Sequence, residues 1–356
     1  MMDAWLGELG ERIIAAGKSQ SPLCIRGGGS KRFYGGAEHG DLIRTTDYHG
    51  VLDYDPAELV MTARAGTPLA EIEALLEAHH QCLPFEPPYF SRTATLGGCI
   101  ASGLAGPARF VTGAVSDFVL GATLMDGQGR VLRFGGQVMK NVAGYDVARL
   151  LAGSMGILGI ILDLSVKVLP RPRSQLSLRM QIDQGSAMVK LNRWLGEGLP
   201  LSGSVWNAGT LTLRLSGAEA SVGKARQRLG GEALDHQTAQ AFWCSVREQE
   251  HAFFDSNNNG DRTLWRCCLP ATTPPIGAQD VLIEWAGAQR WLWSENDDVR
   301  AAARQAGGHA VAFRQRAPRH TVFDALDAPT QALHERVKAV FDPHGIFNRG
   351  RMFGAF

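Results

Sequence analysis

The stretch Thr93-Ala94-Thr95-Leu96-Gly97-Gly98-Cys99-Ile100-Ala101-Ser102-Gly103-Leu104-Ala105-Gly106-Pro107 sets four glycines among small side chains and hydroxyls. Glycine opens backbone angles that other residues avoid and lets a ligand come close to the main chain, so the stretch suits a phosphate or a flat ring. Read alone, it is equally a tight turn packed in a core. A second candidate, Arg26-Gly27-Gly28-Gly29-Ser30-Lys31, follows the apolar run Leu23-Cys24-Ile25 at a strand-to-loop junction, where successive N–H groups can form an anion-binding nest. Arg32 stands where a dinucleotide fingerprint needs its third glycine, and Gly-Ser-Lys replaces the Gly-Lys-Ser/Thr of a Walker A loop, so neither pattern applies.

The elements that must position these loops follow from periodicity. Residues 3–16 carry Trp5, Leu6, Leu9, Ile13 and Ile14 on one helical stripe. Leu59 to Ala65 reads as a strand, and Gly66-Thr67-Pro68 opens a helix with Thr67 as N-cap and Leu69, Ile72, Leu75 and Leu76 on its buried face. Phe118–Met125 and Arg130–Phe134 form a hairpin about Asp126-Gly127-Gln128-Gly129, and Ile160 to Val168 alternates as a strand. Pro170-Arg171-Pro172-Arg173 marks a domain boundary. Beyond it come a strand over 176–182, a helix spaced by Met188, Leu191, Trp194 and Leu195, a hairpin about Asn207-Ala208-Gly209, and a helix closing at Gly230-Gly231. Strands near 264–269, 281–285, 291–293 and 309–314 with a helix near 298–306 continue an open-faced α+β pattern. A helix from Gln331 to Phe341 precedes a cationic, turn-rich tail that either reaches a ligand or simply caps the chain.

Composition narrows the function classes. The 356 residues hold 36 Lys and Arg against 35 Asp and Glu, so nothing draws the chain as a whole to nucleic acid or an acidic membrane. Asp3, Glu8 and Glu11 stand where a signal peptide carries positive charge, and no long apolar run follows, so a cytosolic chain is expected. Cys24, Cys82, Cys99, Cys244, Cys267 and Cys268 include no C-x-x-C pair, so reduced, mostly buried thiols are expected, without a metal or iron–sulfur site. The aromatic run Trp285 to Trp293 reads as a partner surface or as buried sheet packing. Arg314, Arg316, Arg319 and His320 form the densest cationic cluster that could hold a carboxylate, and a solvated edge is the alternative.

The succession Arg26-Gly-Gly-Gly-Ser-Lys31, Ala65-Gly-Thr-Pro68, Thr95-Leu-Gly-Gly98, Lys140-Asn-Val-Ala-Gly-Tyr-Asp146, Gly153-Ser-Met-Gly-Ile-Leu-Gly159 and Asn348-Arg-Gly-Arg351 resembles the FAD-binding flavoproteins of the vanillyl-alcohol oxidase (PCMH) type. It looks most like their glycolate oxidase branch, in particular its smaller FAD-binding E chains. The resemblance implies an α+β fold: a PCMH-type FAD-binding domain of two α+β subdomains over 1–171, a second, ferredoxin-like domain with an antiparallel sheet over 172–330, and a tail, 331–356, returning to the flavin. It also implies that Arg26, Gly27, Gly28, Gly29, Ser30 and Lys31 form a diphosphate loop. Pro84, Thr95, Leu96, Gly97, Gly98, Ser102, Gly103 and Gly106 would line the diphosphate and flavin side, with Gly153, Ser154, Gly156, Gly159 and Ile160 toward the adenosine. Asn348 and Arg351 would approach the ring. The partners implied are a larger FAD-binding glycolate oxidase subunit and an iron–sulfur subunit, with a small 2-hydroxy acid as substrate and contact with the inner membrane made only through partners.

Two departures from the family bear on function. The flavin-tethering His of several members is missing beside Gly29-Ser30-Lys31, the next His being at 39, so FAD is expected to be non-covalent. The His-rich run that feeds the metal site of related 2-hydroxy-acid dehydrogenases is also missing, so no metal ligand and no catalytic base is named. A self-sufficient hydroxy-acid dehydrogenase and a flavin-less assembly subunit remain as alternative readings.

Overall fold

The structure, a computed structural model, describes residues 2–136, 145–275, 280–316 and 320–354. Helix α1 (Met2–Ser19) buries Leu9, Ile13 and Ala16, one helical stripe, against β1 (Leu23–Arg26) and β2 (Asp41–Arg44), which pair in parallel. Then come β3 (Val51–Asp55), β4 (Val60–Arg64), α2 (Leu69–Ala78), β5 (Gln81–Cys82), α3 (Leu96–Ser102) and α4 (Arg109–Thr112). The unit continues through β6 (Val119–Met125), β7 (Val131–Gly135), α5 (Val147–Leu150), β8 (Ile160–Lys167) and β9 (Leu169–Pro170). A five-stranded sheet in the order β3-β4-β8-β6-β7 packs Met61, Leu124 and Leu164 against Leu69, Ile72 and Leu76 of α2 and Leu96 and Ile100 of α3.

The start of α2 differs from expectation. Pro68, not Thr67, stands at the N-cap, because the Thr67 hydroxyl is already engaged: it donates to the Arg64 carbonyl at 2.7 Å and accepts from the Gly50 N–H at 2.9 Å. The hydroxyl closes the end of β4 instead.

The second sheet is built from β10 (Ser174–Gln181), α6 (Gln184–Gly196), β11 (Leu201–Asn207), β12 (Thr210–Gly217), α7 (Glu219–Leu229), β13 (Glu232–Ala233), α8 (His236–Arg247) and β14 (Thr263–Cys268). Next follow β15 (Val281–Glu284), β16 (Gln289–Ser294), α9 (Asp298–Gln305) and β17 (His309–Arg314). Its eight antiparallel strands run β13-β10-β12-β11-β15-β16-β14-β17. The first four strands with α6 and α7 are a β-α-β-β-α-β ferredoxin-like unit. Read from the far edge, β17-β14-β16-β15 repeats the same strand order, so the sheet carries that order twice, joined at β11 and β15, with α9 the only α-helix between strands of the second half among the described residues. Sequence periodicity showed neither this duplication nor α8. Trp285, Trp291 and Trp293 are buried, which settles the aromatic run as internal packing.

Helix α10 (Ala328–Phe341) returns the chain to the first unit, where Leu23 donates its N–H to Ile346 at 2.8 Å and accepts from the Asn348 N–H at 2.9 Å. All six cysteines are free: Cys24, Cys99 and Cys267 are buried, Cys82 and Cys268 half-buried, Cys244 exposed.

Glu284 is buried in the second sheet, where its carboxylate accepts from Trp291 Nε1 at 2.6 Å and Gln289 Nε2 at 2.9 Å. Burial outweighs these donors and pushes its carboxyl up to about 7. Between the ordinary carboxylate value and about 7 the folded state holds a proton that the unfolded chain has already released, so the stability tied to that proton falls across this window and levels off above it. Glu284→Gln is expected to gain stability over the parent as pH rises from about 5 to about 7, reaching about 3 kcal/mol, to keep that advantage unchanged above about 7, and to differ little near pH 4. Paired thermal melts across this range check it, and a Tm difference independent of pH would contradict it.

Candidate functional site

The loop after β1, the N-terminal half of α3, Met155 and the tail converge on one cleft, lined by Arg26 to Arg32, Glu38, Thr95, Gly98, Ala101, Ser102, Met155, Asn348 and Arg351. The two glycine loops meet there without intervening side chains. A Cβ on Gly28 would lie 1.4 Å from the Thr93 carbonyl oxygen, and one on Gly27 would lie 2.5 Å from Thr95 Oγ1. Thr93 Oγ1 donates to the Gly28 carbonyl at 2.6 Å, and Gly29 takes a positive φ of 73° to turn the chain.

The N–H groups of Gly28, Gly29 and Ser30 find no acceptor among the described residues. Three consecutive unengaged donors on a cleft are what an anionic group such as a diphosphate requires. The N–H groups at the start of α3 are different. Leu96 donates to Thr67 at 3.0 Å, Gly97 to Ala65 at 2.7 Å, and Gly98 to Thr95 Oγ1 at 3.3 Å, so that segment is a supporting wall.

Charge around the cleft is partly neutralised. Glu38 pairs with Arg26 and with Arg32 Nε at 2.9 Å; burial alone would raise its carboxyl, and the two guanidiniums outweigh burial and hold it below its ordinary value. Among the described residues no carboxylate lies within ion-pair distance of Lys31, whose ammonium burial pushes below its ordinary value and which stands 5.6 Å from the Phe90 ring. Lys31 thus presents a charge that an anion can neutralise.

Asn348 and Arg351 line the cleft, but their polar atoms are spent on the backbone. Asn348 Oδ1 accepts from Ile25 N at 2.7 Å and its Nδ2 donates to the Met155 carbonyl at 2.7 Å. Buried Arg351 donates to the carbonyls of Tyr34, at 2.6 Å, and of Gly36. They hold the loop in shape.

The other expected residues sit elsewhere. Leu96, Ile160 and Pro84 are buried, and Gly97 packs against Ala65. Ser154 donates to the Leu151 carbonyl, while a Cβ on Gly156 would meet Asn348 Nδ2 and one on Gly159 the Met125 carbonyl. Gly103 and Gly153 line a neighbouring cavity, and Gly106 lies against the Glu86 backbone. Residues 140–144 of the Lys140–Asp146 run, and Arg319, lie outside the described residues. Arg314 and His320 do not converge: Arg314 covers Phe33 at 4.6 Å, whereas His320 packs at a tilt against Trp265 and faces Asp297 at 3.1 Å. Glu38 and Met155 were missed, since each enters the cleft only through the folded path of its loop.

A glycine nest with free donors, backed by a second glycine segment and closed by the chain's tail, is a cleft built for an anionic ligand such as the diphosphate of a dinucleotide. The family model described as FAD binding domain matches residues 7–135. Glycolate oxidase subunit GlcE of Escherichia coli (strain K12) is 45% identical over 346 residues, covering 96% of each chain, and the protein belongs to this family of glycolate oxidase subunits. The D-lactate dehydrogenase of Anaerostipes hadrus is 32% identical over 139 residues, 39% of this chain and 29% of that one. Glycolate oxidase subunit GlcD of Bacillus subtilis (strain 168) is 28% identical over 187 residues, 51% and 40% of the two chains. A solved structure of alkyldihydroxyacetonephosphate synthase superposes with a TM-score of 0.68 at 14% identity, over 96% of this chain and 75% of that one, a likeness of fold.

Gly28→Ala is expected to force the two loops apart and to lower FAD affinity at least tenfold. Gly98→Asp, whose added Cβ meets only Thr95 Oγ1 at 3.2 Å, should fold normally and lose FAD through its charge on the cleft. Flavin absorbance of the purified variants, with far-UV circular dichroism as a folding control, distinguishes the two effects.

Proposed function

We propose that this chain is the FAD-binding subunit of a glycolate oxidase complex that oxidises glycolate to glyoxylate, with D-lactate as a second candidate substrate. The observation that carries the proposal is the end-to-end match with the E. coli subunit. FAD, when bound, supplies the two-electron oxidation, and the chain supplies binding and orientation. The N–H groups of Gly28, Gly29 and Ser30 hold the diphosphate, Lys31 neutralises part of its charge, and Thr95, Gly98 and Ser102 shape the opposite wall. Asn348 and Arg351 keep the loop in place, and no catalytic base is assigned.

Residues 1–171 serve as the FAD-binding domain, 172–330 as the domain facing substrate or partner, and 331–356 as the returning tail. In this reading the chain is active only with its partners, a larger FAD-binding subunit and an iron–sulfur subunit, which receive the electrons. No helix among the described residues is long and apolar enough to cross a membrane, and the proposed place is the cytoplasm, at the inner membrane through those partners. Among the described residues no group of three or more His, Cys, Asp or Glu side chains could hold a metal ion.

Acid precipitation tests the cofactor: FAD held non-covalently leaves a yellow supernatant over a colourless pellet, and a yellow pellet contradicts the proposal. The isolated chain should reduce an artificial acceptor with glycolate at under a hundredth of the rate of the assembled complex. Rapid bleaching of flavin on the lone chain would favour the self-sufficient enzyme.

A further inference from the structure

Ser102 also lines a second, larger cavity of about 810 Å3 between the FAD-binding unit and the second sheet. On its wall Arg266 and Cys268 share one face of β14, two residues apart, and His309 on β17 lies directly opposite Cys268. The first unit contributes Arg109, whose guanidinium lies 4.6 Å from the Trp285 ring, while that of Arg266 lies 5.3 Å from the same ring. Tyr34 lines the same cavity.

These cations lack the acidic partners that such groups usually find when half-buried. Among the described residues no carboxylate lies within ion-pair distance of Arg109 or Arg266. The Arg266 side chain donates to the neutral amide of Gln289 at 2.7 Å, and among the described residues Arg109 makes no side-chain hydrogen bond. The carboxylate on the cavity wall, Asp324, is taken by Arg304 at 3.0 Å. Burial would raise the Cys268 thiol, but Arg266, His309 and Arg109 outweigh it and bring the thiol down to about 7, in keeping with the surplus of positive charge on this wall.

We propose that this cavity is a carboxylate-binding site in which Arg109 and Arg266 hold a small 2-hydroxy or 2-oxo acid beside Cys268 and His309. Planar guanidiniums stacked on an indole are held in position and match a carboxylate's two oxygens. The choice of a hydroxy acid rests on the proposed function, whereas the site rests on the unpaired arginines.

Cys268 provides the readout. The full-length chain is alkylated with iodoacetamide near neutral pH, with and without millimolar glycolate, and modification is read site by site by mass spectrometry. Glycolate is expected to slow alkylation of Cys268 several-fold and saturably while exposed Cys244 is unaffected. Protection should be lost in both Arg109→Gln and Arg266→Gln. Equilibrium dialysis with labelled glycolate on the same proteins, and on Cys268→Ala, gives a second readout that does not depend on thiol reactivity. No glycolate bound, or equal binding in the double arginine variant, overturns the proposal, as does protection by inorganic phosphate but not by glycolate. Flavin content is measured in parallel. Protection in a colourless protein would defeat the flavin reading and leave the cavity, and a yellow protein without protection would do the reverse.

Discussion

The buried pair of Lys338 and Asp342, one turn apart at the end of α10, governs where the chain's tail goes. The Lys338 ammonium spends all three donors, on Asp342 Oδ2 at 2.7 Å and on the carbonyls of Ile157, at 2.6 Å, and Phe347, at 3.1 Å. Asp342 in turn accepts from the N–H groups of Ile346 and Phe347. Burial pushes the lysine below its ordinary value and the carboxylate opposes that shift. Truncating either partner leaves the other charge buried, a loss of about 3–5 kcal/mol. Residues 346–348 are thereby fixed beside β1, and from that placement Asn348 reaches Ile25 and Met155 and Arg351 reaches the backbone of 34–36. The shape of a nest near residue 28 thus depends on a charge pair more than three hundred residues later in the chain.

The second sheet exerts a matching control from the other side. Arg214 binds Glu86 at 2.7 Å, and Glu86 also accepts from the Ala108 N–H. Glu248, at the end of α8, accepts from the N–H groups of Tyr89 and Phe90, and Trp285 Nε1 donates to the Gly106 carbonyl at 3.0 Å. Each contact pins part of the segment 84–108 that carries the second glycine stretch. The sheet therefore acts on the cleft through backbone positions, leaving its own face free to line the neighbouring cavity.

Most secondary structure was legible because its periodicity is local: the stripe of α1, the alternation of β8 and the Asp126–Gly129 turn need no long-range information. Within the cleft, the glycines announced the loops, yet composition does not distinguish a glycine that leaves its N–H free, such as Gly28, from one such as Gly97 whose donor is already used. The expectation that Asn348 and Arg351 approach the flavin ring came from the family resemblance; the backbone carbonyls that engage them become neighbours only when the tail docks. Arg109 and Arg266 passed unnoticed for the same reason, since 157 positions separate them and neither stands in a motif.

The duplicated sheet also bears on how the chain assembles. Its seam consists of Val205, Trp206 and Asn207 paired with Glu284, Ile283 and Leu282, three residue pairs, whereas β10 and β12 share eight. The half before the seam closes on itself through neighbouring segments and its own two helices, so its contacts form over short chain separations. The half after it has, among the described residues, one α-helix, α9, on one face, and turns the other toward the FAD-binding unit. By the cost of closing long loops, the first half is the natural nucleus of this region, and the second acquires its order last, against surfaces already formed.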